Sequence, residues 1–282
     1  MNSRFISERL YPILVHYCLQ TKRLFYRLYG TLSAFGIPLN ANDRRLAAFK
    51  DIHKGQRAFI IGTGPSLHIN DLDRLKGEIT YACNKIYLAF DETDWRPTYY
   101  TLLDVLVAKN NYDSINKLDL CKVFSNEVKS SFRNTQDILW LRDLGHPVQN
   151  GETGVRFSTN ALVGVYGGWT VIHTMLQLAF YMGITEVFII GLDFEFHVSK
   201  PTGEISAHGD VVEQKDEVNH FHPKYREPGE KWTIPKLELQ RRAYSCARKA
   251  FESNGRNIYN ASRKTALDVF PLVDFDKILS VP

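Results

Sequence analysis

The chain has 282 residues, 44% of them hydrophobic and 23% charged, with a formal net charge of +4. That balance fits a globular protein with one large core and excludes disordered, collagen-like and disulfide-rich classes. So mild a charge gives no reason to expect nucleic acid as a partner. Cys18, Cys83, Cys121 and Cys246 lack the spacing of a zinc knuckle or a disulfide framework, which points to a reducing, cytoplasmic setting. No window approaches the roughly 20 apolar residues of a membrane span, and no secretory signal is evident.

Along the chain, Phe5, Ile6, Leu10, Ile13, Leu14, Tyr17, Leu24, Phe25 and Leu28 recur at helical spacing among Arg4, Arg9, Lys22, Arg23 and Arg27. This basic amphipathic helix suits peripheral contact with an inner membrane through residues 1–30. It equally suits packing on the main domain or on a second subunit, so a homo-oligomer stays open. Gly36 to Asp43 reads as a linker, giving a leading segment over residues 1–43 and a main domain over 44–282.

In that domain Ala58–Gly62, Ile79–Asn84 and Thr98–Asp104 read as strands, with a helix near Asp71–Lys76. Val123–Ser125 and Ile138–Leu141 are weaker strand candidates. Trp169–Met182 carries Val171, Ile172, Met175, Leu178, Ala179 and Met182 at helical intervals, and Gly183 stops it. Glu186–Gly191 is a continuous apolar strand, Pro235–Asn254 a last long helix and Asn257–Asn260 a final strand. Unbroken apolar strands alternating with helices predict an α/β fold with a mostly parallel sheet covered on both faces. Ligands of such sheets bind beyond the carboxyl ends of the strands.

Gly62-Thr63-Gly64-Pro65-Ser66-Leu67 follows the first strand directly. Two glycines allow a tight turn and close approach of a ligand, and the following amides form an anion cradle. A turn that merely joins strand to helix is the alternative. No Gly-Lys-Ser/Thr follows, and the third glycine of the dinucleotide fingerprint is missing. Asp104 and Asp193 each end a strand, where an aspartate binds ribose hydroxyls, holds magnesium or caps the next helix.

Phe59–Leu67 resembles the opening strand and loop of bacterial sialyltransferases that use CMP-sialic acid. Ala82–Tyr87 is similar to that family's Arg-Cys-Asn segment, with Asn84 as the nucleotide contact, and Gly183–Phe194 to its Gly-hydrophobic-Asp-Phe hallmark. The chain also resembles the MptE-like proteins, named after a 6-hydroxymethylpterin pyrophosphokinase, through Gly167-Gly168-Trp169-Thr170, Asn219-His220-Phe221 and Asn257–Ala261. Both resemblances imply a Rossmann-like sheet with a small lid, here at about 195–235.

The first resemblance implies a glycosyltransferase acting in lipopolysaccharide or capsule assembly. It would move a nonulosonic acid from a CMP-type donor to a glycan or glycolipid, with no tightly bound cofactor. The second implies a magnesium-dependent pyrophosphokinase using ATP, with Asp104 and Asp193 on the metal; a catalytically silent nucleotide-binding protein is a third reading. Nucleotide contacts are expected from Gly62, Thr63, Gly64, Pro65, Ser66, Asn84, Asp104, Gly167, Gly168, Thr170, Asp193 and Tyr225. The sialyltransferases' tyrosine after Asp-Phe is Glu195 here, a carboxylate that would repel a phosphate, and Tyr225, Arg226 and Lys224 are the candidates to take over its role. His220, then His222, is the expected base, since a histidine near its ordinary pKa accepts a hydroxyl proton at neutral pH. Their i, i+2 spacing on an extended segment would put both on one face, a pattern that also suits a metal.

Overall fold

The computed structural model describes residues 30–133, 135–149, 152–198, 201–206, 209–216 and 218–280. The amphipathic segment expected over residues 1–30 therefore lies almost wholly outside the described residues. Five strands lead the fold: β1 (Arg57–Ile61), β2 (Ile79–Cys83), β3 (Tyr99–Leu102), β4 (Lys122–Ser125) and β5 (Ile138–Leu141). After a short pair, β6 (Val148–Gln149) and β7 (Glu152–Thr153), comes β8 (Glu186–Ile190). Then β9 (Pro201–Ser206), β10 (Gly209–Glu213) and β11 (Lys231–Thr233) precede β12 (Asn257–Asn260). The helices are α1 (Ala41–Ala47), α2 (Ile69–Asp73), α3 (Val105–Asn110), α4 (Tyr112–Asn116), α5 (Val171–Tyr181), α6 (Leu237–Glu252) and α7 (Phe275–Leu279).

Seven strands form one parallel sheet in the order β12-β8-β1-β2-β3-β4-β5. Alternate side chains enter opposite cores. Ala58 and Ile60 join the face covered by α5 and α6, while Phe59 and Ile61 join the face covered by α2, α3, α4 and α7. Burial on both faces is why these strands are apolar without interruption. The fold is thus α/β and Rossmann-like, and every strand expected in the sheet is present within two residues of its expected bounds.

Two features differ from the sequence reading. The supposed linker over Gly36–Asp43 ends early, because Asn40 caps α1 by accepting the Asp43 amide at 2.9 Å. Asn42 then donates to Trp140 O at 2.9 Å and accepts from Trp140 N at 2.8 Å, covering the open edge of β5. The lid is a three-stranded antiparallel sheet in the order β11-β10-β9. Its turn and charged residues hide any clean alternation. Among the described residues no helix is long and apolar enough to cross a membrane.

Candidate functional site

From β1 the strand order runs outward in both directions, so the crevice of this sheet lies between β1 and β8 at their carboxyl ends. The turns after the two strands meet there. Gly62 N–H donates to Ile190 O at 2.8 Å and Gly64 N–H to Gly191 O at 2.9 Å. A Cβ on Gly62 would lie 2.3 Å from Gly191 O, and one on Gly64 would lie 2.0 Å from Asp193 Oδ2. Close packing of two loops therefore requires both glycines, whatever a ligand demands. Asp193 accepts the Ser66 amide at 3.0 Å and the Ser66 hydroxyl at 2.9 Å, so it anchors the glycine loop. Burial raises its pKa in spite of these bonds.

At the end of β2, Asn84 takes a left-handed φ of 50°. Tyr100 donates its hydroxyl to Asn84 O at 2.5 Å, while Asn84 Oδ1 is buried with no partner. Trp169 and Phe194 also hold left-handed φ values, 59° and 57°, and both lie at this same edge of the sheet. Such strain persists where surrounding structure over-determines it, and it clusters at binding sites.

The lid folds onto this edge. Phe221 N–H donates to Thr63 O at 3.0 Å, and the Thr63 hydroxyl donates to the Tyr225 phenol oxygen at 3.3 Å. Burial pushes the Tyr225 pKa far up, so its hydroxyl stays protonated and can donate. His220 lies flat on Tyr225, ring centroids 3.7 Å apart and planes within 4°. His222 points elsewhere: its Nδ1 accepts the Lys224 amide at 3.1 Å and its Nε2 sits 3.8 Å from Glu92. Residues 218–226 form bends and turns rather than a strand, so the two histidines do not share a face. Beneath them, burial lifts the Cys83 thiol to about 12, which keeps it out of nucleophilic chemistry.

Gly167, Gly168 and Thr170 shape the start of α5. A Cβ on Gly167 would lie 2.7 Å from the His146 ring and one on Gly168 2.5 Å from His173. Thr170 caps the helix through the Ile172 amide and accepts the Tyr244 hydroxyl at 3.2 Å. His173, wholly buried, hydrogen-bonds Arg156 O at 3.0 Å through Nε2, and its Nδ1 has no partner. Burial lowers its pKa from 6.5 to about 4, against the opposing pull of the Arg156 carbonyl. Above pH 6.5 the ring is neutral in both folded and unfolded states. Between pH 6.5 and 4 only the unfolded chain takes the proton, so stability falls with pH. A gap of about 2.5 pKa units at about 1.4 kcal/mol each makes the loss about 3 kcal/mol. Urea midpoints across this range should therefore fall more steeply for the native protein than for His173→Gln, and parallel curves would refute the assignment.

A cavity of about 330 Å³ opens at the carboxyl ends of β1, β8 and β12, lined by Ser66, His68, Asp193, Glu195, Arg263 and Lys264, with His197 and Val218 at its side. Its charges are balanced. Lys264 pairs with Glu195 at 2.7 Å, and Arg263 pairs with Asp71 at 2.6 Å. Sequence reasoning named Pro65, Ser66, Asp193 and Glu195 of this wall but not His68, His197, Arg263 or Lys264, which belong to no motif and join it only through the fold.

Asp104 caps α3, accepting the Leu106 amide at 2.7 Å and the Val107 amide at 3.1 Å. It follows β3 and Asp193 follows β8, three strand spacings or roughly 14 Å apart. That span does not fit one magnesium ion, whose ligands lie at about 2.1 Å. Among the described residues no group of three or more His, Cys, Asp and Glu side chains could hold a metal.

The family model described as 6-hydroxymethylpterin diphosphokinase MptE-like matches residues 37–199. No curated protein matches significantly. Among solved structures, the sialyltransferase CstII from Campylobacter jejuni in complex with CMP-3FNeuAc is similar at 13% identity and a TM-score of 0.40. The match covers 77% of this chain and 86% of that one. With more than half its length matched by that family model, the chain belongs to the MptE-like family.

Proposed function

We propose that the chain is a nucleotide-utilising transferase that moves a sugar from a CMP-type donor to a hydroxyl of a glycan or glycolipid. The observation that carries this reading is Asn84, a strained residue beside the glycine loop whose buried Oδ1 has no donor. A buried unsatisfied acceptor costs about 1–3 kcal/mol. Ribose hydroxyls or a base amino group could satisfy it, whereas an ionised phosphate offers only acceptors. The CMP assignment rests on the sialyltransferase-like segments around Phe59–Leu67 and Asn84.

In the proposed reaction the acceptor oxygen bonds to the anomeric carbon as the bond from that carbon to the phosphate oxygen breaks. His220 takes the acceptor proton, and the nucleotide leaves with the electron pair. The protonated Tyr225 hydroxyl would offset charge on the departing phosphate. Glu195 is already paired with Lys264, which blunts its repulsion of that phosphate. The cavity at Asp193 suits the acceptor, because balanced charges and paired carboxylates favour neutral hydroxyls over an ion. A lipid-linked acceptor would agree with membrane contact through residues 1–30.

The family description favours diphosphate transfer from ATP as the second reading. A separation of roughly 14 Å between Asp104 and Asp193 speaks against one magnesium shared by both, so that reading would need metal held chiefly by the substrate's phosphates. The test of the first reading is calorimetric titration of CMP into the native protein and Asn84→Ala. Affinity should fall about tenfold or more in the variant. Equal affinity in the two proteins would sink the assignment.

A further inference from the structure

A buried ion pair joins the lid to the sheet beneath it. Lys85, next to Asn84, is only 5% exposed, and its Nζ lies 3.0 Å from each carboxylate oxygen of Glu230. A buried ammonium must be paired, because an uncompensated charge in the interior is very costly. Its partner here comes from the lid rather than from the parallel sheet. Glu230 is fixed within the lid: its carboxylate accepts the Glu227 amide at 3.1 Å, and its carbonyl accepts the Gln214 amide at 2.9 Å at the mouth of β10 and β11. Lys85 is also bound to Tyr225, its Nζ lying 5.8 Å from that ring's centroid.

Tyr225 in turn meets Thr63 of the glycine loop at 3.3 Å, so these contacts adjoin both that loop and Asn84. We infer that Lys85 is the phosphate-binding cation of this site, and that Glu230 is an internal anion that holds it until a phosphate or diphosphate displaces the carboxylate. The inference rests on the nucleotide reading for the identity of the natural ligand, but the exchange itself requires only an anion of phosphate type. A ligand phosphate bound to Lys85 takes the place of the Glu230 carboxylate in the ion pair. Two anions competing for one cation also make apparent affinity lower than the intrinsic affinity of the open site.

The test uses the full chain and two variants, Glu230→Gln and Lys85→Met, with inorganic pyrophosphate and, separately, CMP and cytidine as probes at constant ionic strength. Glu230→Gln removes the competitor and should bind pyrophosphate about tenfold more tightly than the native protein. Lys85→Met should lose pyrophosphate binding and should bind CMP no better than cytidine. Thermal unfolding without ligand checks that each variant is folded. Should Glu230→Gln prove unstable, Glu230→Ala in the same titration serves in its place. The inference is overturned if pyrophosphate binds the native protein and both variants alike, or binds none of them. If pyrophosphate follows the expected order while neither CMP nor cytidine binds, the exchange stands and the nucleotide reading is what fails.

Discussion

His220→Ala is expected to lower turnover by about 100-fold or more while leaving nucleotide affinity within a few-fold of native. A general base contributes to the chemical step, and a residue that acts only there affects kcat and kcat/KM together. His220 qualifies by position, because it lies flat against Tyr225, whose phenol oxygen meets Thr63 of the glycine loop. His222 does not, since Lys224 and Glu92 hold its ring on the far side of the turn. His222→Ala should therefore cost little. Alanine also strips the packing from Tyr225, so His220→Phe supplies the control: it keeps a flat ring on Tyr225 but cannot accept a proton. Steady-state assays with a CMP-activated sugar should find the phenylalanine variant as inactive as the alanine one. Native-like turnover in His220→Phe would reduce His220 to a support for Tyr225.

Gly62→Ala should be the most destabilising single methyl in the described chain, at about 3 kcal/mol. The added carbon would lie 2.3 Å from Gly191 O and 2.8 Å from Gly191 C, so the obstacle is main chain at the centre of the sheet. Relief requires the ends of β1 and β8 to separate, breaking the 2.8 Å bond from Gly62 N to Ile190 O. Thermal unfolding should register a fall of about 5–10 °C. Gly64→Ala meets the Asp193 side chain first, and that carboxylate can rotate away at the cost of its Ser66 bonds. Combining Gly64→Ala with Asp193→Ala should accordingly cost less than the sum of the two, since one contact is lost twice. Strict additivity would mean that the clash is not with Asp193.

The sheet was legible in the sequence because burial on both faces leaves a short apolar run that no other element type explains as well. Ala58–Ile61 and Val187–Ile190 are of this kind, with alternate residues feeding two cores. The lid was legible only as a polar region. β9 to β11 form a small sheet with exposed residues on both sides of each turn, so hydrophobic period could not mark its strands. Among site residues, the glycine loop and Asn84 stood out because they follow strands that could be located. Asp104 at a strand end was ambiguous between ligand contact and helix cap, and in the fold its carboxylate caps α3 through the Leu106 and Val107 amides. Lys85 and Glu230 are 145 residues apart, and nothing local announces their pairing. The same holds for the cavity wall, assembled from the ends of three strands that are neighbours only in space.

The measurement that bears most directly on the proposed function is calorimetric titration of the native protein with CMP and with ATP, each in magnesium and in EDTA. CMP is expected to bind with the same affinity in both buffers and more tightly than ATP, because the proposed nucleotide site of Asn84, Thr63 and the lid needs no shared metal. Tight binding confined to ATP with magnesium would contradict it and assign the chain to diphosphate transfer.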